Sequence, residues 1–346
     1  MADQIRVPGP GPGPGIDGVG ITTPLKLAAS LPRPIVFVMA GGGAHGCVQW
    51  GLLQALYETD IRPDTLIGTS AGALTCAVVA EDPISATSRL TYVWSQLDLE
   101  VLVGDSWLSM ISAATKRKNS IVDNSTEQAT IEAILAARDF SDLALPMAAV
   151  ATDLATGEAT AIDSGALIPA LLASSAIPGV LPPVTINGRQ YVDGLASANL
   201  PARLAVERGA GSIIVLGTGS RTPTPISTSA PKVVSRVNAI LNASQRRGQL
   251  VASGSEVPVV LLPTPDDLGA ALDFRETISA AGKSYELGRN YLYDLSNLPT
   301  KRHLRAGIYA RPSEVESDAE LVELTVEVPD SLTSHEPTSG SAEVVV

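Results

Sequence analysis

The chain has 346 residues, with 45% hydrophobic and only 17% charged side chains, enough apolar matter for one large buried core. Of its net charge of −12, nine acidic residues lie from Pro312 onward, where Lys and Arg are absent, so the rest is close to neutral. That balance shows no obvious basic face for nucleic acid, two cysteines cannot by themselves form a disulfide framework or a four-ligand zinc site, and only three histidines limit metal sites and catalytic triads.

Residues 1–32 include "GPGPGPG", which has no side chains for a core and reads as a loosely packed arm. The N-terminus lacks the apolar run of a secretory signal. Prolines interrupt the longest uncharged run, Ser164–Gly188, so it does not span a membrane. The expectation is a cytoplasmic protein, with surface contact to a membrane left open. From residue 33 to 311 the pattern alternates strands and helices. "PIVFVMA" (34–40) is a buried strand, "MAGGGAHG" then turns, and "CVQWGLLQALYE" (47–58) places Val48, Leu52, Leu53 and Leu56 on one helical face. "DTLIGTS" (64–70) is a second strand and "AGALTCAVVA" (71–80) a helix of small residues. Cys47 and Cys76 read as core residues of these helices. Two short strand-loop-helix units in succession predict neighbouring parallel strands in a three-layer α/β/α sandwich.

Residues 84–135 read as a mostly helical, cap-like region. Within it "DSWLSMISAATKRKNS" (105–120) sets apolar residues before Lys116, Arg117 and Lys118, which suits a packed cap helix or a lipid surface. Strands follow at 146–154, 212–218 and 257–265, helices at 165–178 and 275–295, and Asn187-Gly188 marks a hairpin within 184–194. Residues 312–346 read as an acidic tail in which "LTVEV" has the alternation of a short edge strand.

Two glycine patterns carry chemistry. Gly68-Thr69-Ser70-Ala71-Gly72 is a G-x-S-x-G between a strand and a helix, the context of a nucleophile elbow. The turn lifts the Ser70 hydroxyl from the sheet, and the helix dipole behind it favours developing negative charge. Gly41, Gly43 and Gly46 spell G-x-G-x-x-G, a dinucleotide fingerprint. A dinucleotide site wants an acidic residue at the end of the second strand; here that strand ends in Ser70, while Asp60 and Asp64 precede it. The alternative is an oxyanion hole, because backbone N–H groups of small residues approach an acyl carbonyl closely. Asp193, in "YVDG", is a candidate base for Ser70, or an ordinary turn aspartate. His303 is the other candidate, in a Ser-Asp-His order, whereas His335 sits in the polar tail.

Together, the Gly-rich loop, the G-x-S-x-G and the downstream Asp193-Gly194 resemble the patatin-like phospholipases, over about residues 33–310. "ATDLATGEA" (151–159), "SSAIPGVLPPV" (174–184) and "YVDGLASANLPARLAVERGAGSIIVLGT" (191–218) extend the likeness. The resemblance implies a lipid ester substrate, an acyl-enzyme on Ser70, Asp193 as its base without histidine, and no metal or other cofactor. It makes Gly41, Gly42, Gly43 and Ala44 the oxyanion hole, with Gly46, Gly68, Gly72 and Gly194 supporting the motifs. Two positions depart from it: His45 stands where the family usually has Arg or Lys, and Leu195 where it has Gly or Ala. The departures keep open a catalytically silent scaffold that binds lipid or protein.

Overall fold

The structure is a computed structural model and describes residues 24–96, 124–219, 230–266, 268, 274–298, 303–315 and 319–330. The 105–120 segment and His335 lie outside the described residues.

Ile35–Met39 forms β1, with all five residues buried. Its alternating side chains leave in opposite directions, as a strand's must. Ile35, Phe37 and Met39 join a cluster containing Leu52, Leu56 and Tyr291, while Val36 and Val38 join another containing Ala202, Ala205 and Leu250. Both faces of the sheet are therefore covered by helices, and the architecture is the expected three-layer α/β/α sandwich.

The remaining strands are β2 (Thr65–Thr69), β3 (Met147–Asp153), β4 (Ala159–Ile162), β5 (Val184–Ile186), β6 (Arg189–Asp193), β7 (Ser212–Leu216), β8 (Pro258–Leu261), β9 (Gly307–Ala310) and β10 (Thr325–Glu327). The sheet order is β10-β9-β8-β7-β1-β2-β3-β6-β5, with β4 also paired to β3. Pairings from β10 through to β3 are parallel, and those of β4, β5 and β6 antiparallel. Helices α1 (Pro24–Ser30), α2 (Cys47–Glu58), α3 (Ala71–Glu81), α4 (Ala86–Gln96), α5 (Ser125–Ile134), α6 (Leu167–Ser175), α7 (Ala202–Glu207), α8 (Ala230–Gly254) and α9 (Thr277–Ser296) surround it. Cys47 and Cys76 are buried in α2 and α3, and burial pushes the Cys47 thiol up to about 12. At Asn187 and Gly188 φ is 50° and 78°, the left-handed pair that a tight β5–β6 hairpin requires.

Toward both ends the chain docks more closely than a loose arm and an acidic tail would, although β10 falls within the "LTVEV" read as a short edge strand. Residues 24–30, read as part of a loose arm, form α1, and Leu27 and Leu31 are buried in the core. At the other end the backbone stays docked past residue 311. β10 pairs with β9, Val328 is fully buried, and Arg311 forms an ion pair with Asp294 at 2.6 Å. Arg311 also donates to the Pro329 carbonyl, so a buried cation pins the acidic segment at a point 18 residues further along the chain.

Candidate active site

Ser70 follows β2 directly and precedes α3. Its backbone has φ 54° and ψ −125°, a conformation that L-residues rarely adopt. The strain is held by close packing on both sides. A Cβ on Gly68 would lie 2.5 Å from the Gly72 carbonyl, and one on Gly72 would enter the Met39 carbonyl. The Ser70 carbonyl accepts from the Ala73 and Leu74 N–H groups, at 2.8 and 3.1 Å, and starts α3. Its N–H donates to Ser174 Oγ at 2.8 Å, and Ser174 in turn donates to the Val150 carbonyl at 2.7 Å. A buried serine of α6 thus ties the elbow to β3.

The sheet register brings Asp193 to the same place. β2 pairs with β3 through Thr69↔Val150, and β6 through Asp193↔Ala151. β4 pairs with Ala149 through Thr152, overlapping both, so it must occupy the opposite edge of β3. β2 and β6 therefore lie end to end along one edge, and their last residues meet neighbouring positions of β3. Gly194 lets the chain leave across this junction, since a Cβ there would lie 2.5 Å from the Val150 carbonyl.

Asp193 is fully buried. Its Oδ1 accepts the Leu195 N–H at 2.8 Å, while Oδ2 has no complete hydrogen bond among the described residues. Burial pushes the carboxyl up to about 7, and the Leu195 N–H and the adjacent Ser70 hydroxyl partly oppose that rise. Leu195, a position that departs from the resemblance, is half-buried and supplies this N–H from its backbone.

The glycine loop faces the same sheet edge. Gly43 has φ 58°, and Gly43–Gly46 makes a single tight turn that runs into α2. His45 is buried in that turn, and its N–H donates to the Gly42 carbonyl at 3.2 Å. Ala44 is buried as well, and Gly46 lies against the Trp94 ring. Gly41 departs from its expected place in the oxyanion hole. Its N–H already donates to the Asn199 carbonyl at 3.1 Å, and its carbonyl accepts from Thr218 Oγ1 at 2.9 Å and Asn199 Nδ2 at 3.3 Å. Gly41 anchors the loop, and the Gly42, Gly43 and Ala44 N–H groups follow at the start of the turn.

A cavity of about 140 Å³ opens beside Ser70 and Gly43. Leu74, Val78, Leu90, Trp94, Ile131 and Phe274 supply much of an apolar wall, and Glu127 and Thr130 of α5 also line it. Glu127 is buried, its carboxyl is pushed up to about 7 chiefly by burial, and the charge of Asp193 adds to the rise. His303 is not part of this site. It is exposed and precedes β9, and the next residue donates its N–H to the Ser30 carbonyl ahead of β1. It therefore sits at the N-terminal edge of parallel strands whose C-terminal edge carries Ser70, and a Ser-Asp-His triad through it is ruled out.

Ser174, Asn199, Thr218 and Glu127 did not stand out in the sequence. Only Glu127 leaves a trace there, as an acidic residue in register with Ile131 and Ile134 on the inward face of a helix. Among the described residues no group of three His, Cys, Asp or Glu side chains gathers to hold a metal, and no helix is long and apolar enough to cross a membrane.

Residues 37–206 match the family model described as patatin-like phospholipase. Patatin-like phospholipase domain-containing protein 7 of Rattus norvegicus is 33% identical over 196 residues, which are 56% of this chain and 14% of the relative. An uncharacterised NTE family protein of Mycobacterium tuberculosis is 29% identical over 170 residues, 49% of this chain and 45% of the relative. The chain thus spans a small part of the mammalian protein and about half of the mycobacterial one. Among solved structures, VipD from Legionella pneumophila aligns with TM-score 0.43 and 12% identity over 76% of this chain and 67% of that one.

Proposed function

Since residues 37–206 match the patatin-like phospholipase family model, we propose that this chain is a serine acyl hydrolase that cleaves the carboxylic ester of a lipid through Ser70 and Asp193. The observation that carries the reading is the meeting of β2 and β6 on one edge of β3, which sets a strained serine beside a buried carboxyl.

The chemistry follows from that arrangement. Asp193 takes the hydroxyl proton as Ser70 Oγ bonds to the ester carbonyl carbon. A base whose pKa is near 7 is matched to work at neutral pH. The carbonyl oxygen gains the negative charge, and the N–H groups of Gly42, Gly43 and Ala44 stabilise it, each such donor being worth about 10²–10³ in rate. The C–O bond to the alcohol breaks, and Asp193 returns the proton to the departing oxygen. Water then attacks the acyl-serine and gives a proton to Asp193, which passes it to Ser70 Oγ as the acyl C–O bond breaks, releasing the fatty acid and restoring the serine hydroxyl and the carboxylate. The N-terminus of α3 behind Ser70 favours the charge formed in both steps. Neither step uses a cofactor.

The test compares hydrolysis of p-nitrophenyl butyrate by the wild type and by Ser70→Ala, with thermal melts to show that both are folded. Turnover by the wild type and at least a thousandfold loss in the variant support the reading. Equal rates in the two folded proteins would sink it.

A further inference from the structure

α5 turns one face to the cavity. Glu127, Thr130, Ile131 and Ile134 follow the spacing of a helical stripe, and all four line the wall. The third position of a helix is one where glutamate commonly reaches back to the helix's first N–H groups. Glu127 holds that position in α5 but turns inward instead. Only 8% of it is exposed, and Oε2 is buried with no hydrogen-bond partner among the described residues. Its other polar neighbour is the Ser175 hydroxyl.

Trp94 of α4 lines the same cavity, its ring stacked on Phe274 with centroids 6.4 Å apart. It is 5% exposed, and its Nε1 is also buried without a hydrogen-bond partner among the described residues. Buried polar atoms are ordinarily paired, because leaving them unpaired costs stability. Two such atoms on the wall of one apolar cavity match a ligand that brings one small polar group on an apolar chain. A hydroxyl suits either atom, as acceptor from the indole N–H or as a partner of the carboxyl in either role.

We propose that the cavity beside Ser70 takes a lipid chain bearing a hydroxyl group, bound by Glu127 and the Trp94 indole, and that Glu127 thereby selects which esters reach Ser70. The inference rests on the reading of Ser70 as nucleophile, since the two residues share the cavity. With its carboxyl pushed up to about 7, Glu127 is largely neutral in weakly acidic solution, where it sits near Asp193 without pairing two full negative charges. The hydroxyl has two chemical sources: the acyl chain itself, or the alcohol half of the ester, as in a monoacylglycerol.

The test is binding to the full chain carrying Ser70→Ala, which blocks turnover, followed by tryptophan fluorescence. The probes are methyl octanoate, a series of methyl hydroxyoctanoates, and glyceryl monooctanoate. At least one hydroxylated probe should bind about tenfold or more tighter than methyl octanoate, since a site built to bond a hydroxyl discriminates against its absence. The acyl and glyceryl arms identify the source. Adding Glu127→Leu should erase the preference, and adding Glu127→Gln should keep most of it. Methyl octanoate binding as tightly as every hydroxylated probe would overturn the proposal, whether or not Glu127→Leu folds. So would a preference unchanged in folded Glu127→Leu. Fluorophosphonate labelling of the wild type reports separately on the nucleophile. Labelling without a hydroxyl preference defeats this inference alone, and a hydroxyl preference without labelling defeats the catalytic reading alone.

Discussion

Ser70 and Asp193 meet because β2 and β6 end head to head on one edge of β3, through Thr69↔Val150 and Asp193↔Ala151. The residues are 123 apart in sequence, but a parallel strand and an antiparallel one bring their C-terminal ends to adjacent positions. One hairpin and one elbow thus assemble the site, and the sheet hydrogen bonds hold its geometry.

The environment of Asp193 sets a pH dependence. Its carboxyl moves from 3.8 to about 7 on folding, mainly through burial. A base must be ionised, so kcat/KM for a short-chain ester should rise with pH through about 7 and level off above it. The same shift has a stability consequence of opposite sense. The folded state binds the proton more tightly, so this contribution is fully present below about 4 and is lost as pH rises through about 7. Asp193→Asn should therefore abolish turnover and raise Tm by roughly a few degrees at pH 8 relative to wild type. Scanning calorimetry at pH 5 and pH 8 checks this, and a larger gain at pH 5 would contradict the assignment.

Much of the layout was legible in the sequence, for a local reason. The helix read at 47–58 has those bounds in the structure, and Asn187-Gly188 makes the hairpin its residues require. α1 was hidden because a short apolar stretch beside "GPGPGPG" acquires its value only when Leu27 and Leu31 meet the core. The role of Gly41 was hidden because the acceptor of its N–H belongs to Asn199, 158 residues away. A glycine-rich spelling says which backbones can approach a ligand, and the tertiary contacts decide which donors remain for it.

Asn199 should accordingly act on the loop without touching the ester. It bonds Gly41 through its own carbonyl and its side-chain amide. Asn199→Ala removes only the side-chain bond. The expected outcome is a loss of about tenfold in kcat with KM within about twofold. A change confined to KM would place Asn199 in substrate binding instead.

Gly72→Ala tests the packing behind the elbow. The added methyl enters the Met39 carbonyl, a backbone atom that cannot swing away. Destabilisation of about 2 kcal/mol or more is expected by denaturant titration, together with reduced activity. A neutral result would show that the elbow relaxes freely.

Arg311→Met tests the docking of the segment past residue 311. The change leaves Asp294 buried without its cation and frees the Val328 and Pro329 carbonyls. A loss of about 3 kcal/mol or more is expected, with faster proteolysis beyond residue 311. Unchanged melting and cleavage would mean that this ion pair does not hold the segment.

The central claim is that Ser70 is a nucleophile activated by Asp193. It is tested most directly by intact-protein mass spectrometry after exposure to a fluorophosphonate. One adduct that maps to Ser70, is absent from Ser70→Ala and forms at least about a hundredfold more slowly in Asp193→Asn is the predicted result. Folded wild-type protein that gains no adduct at Ser70, or an Asp193→Asn variant labelled at the wild-type rate, would contradict it.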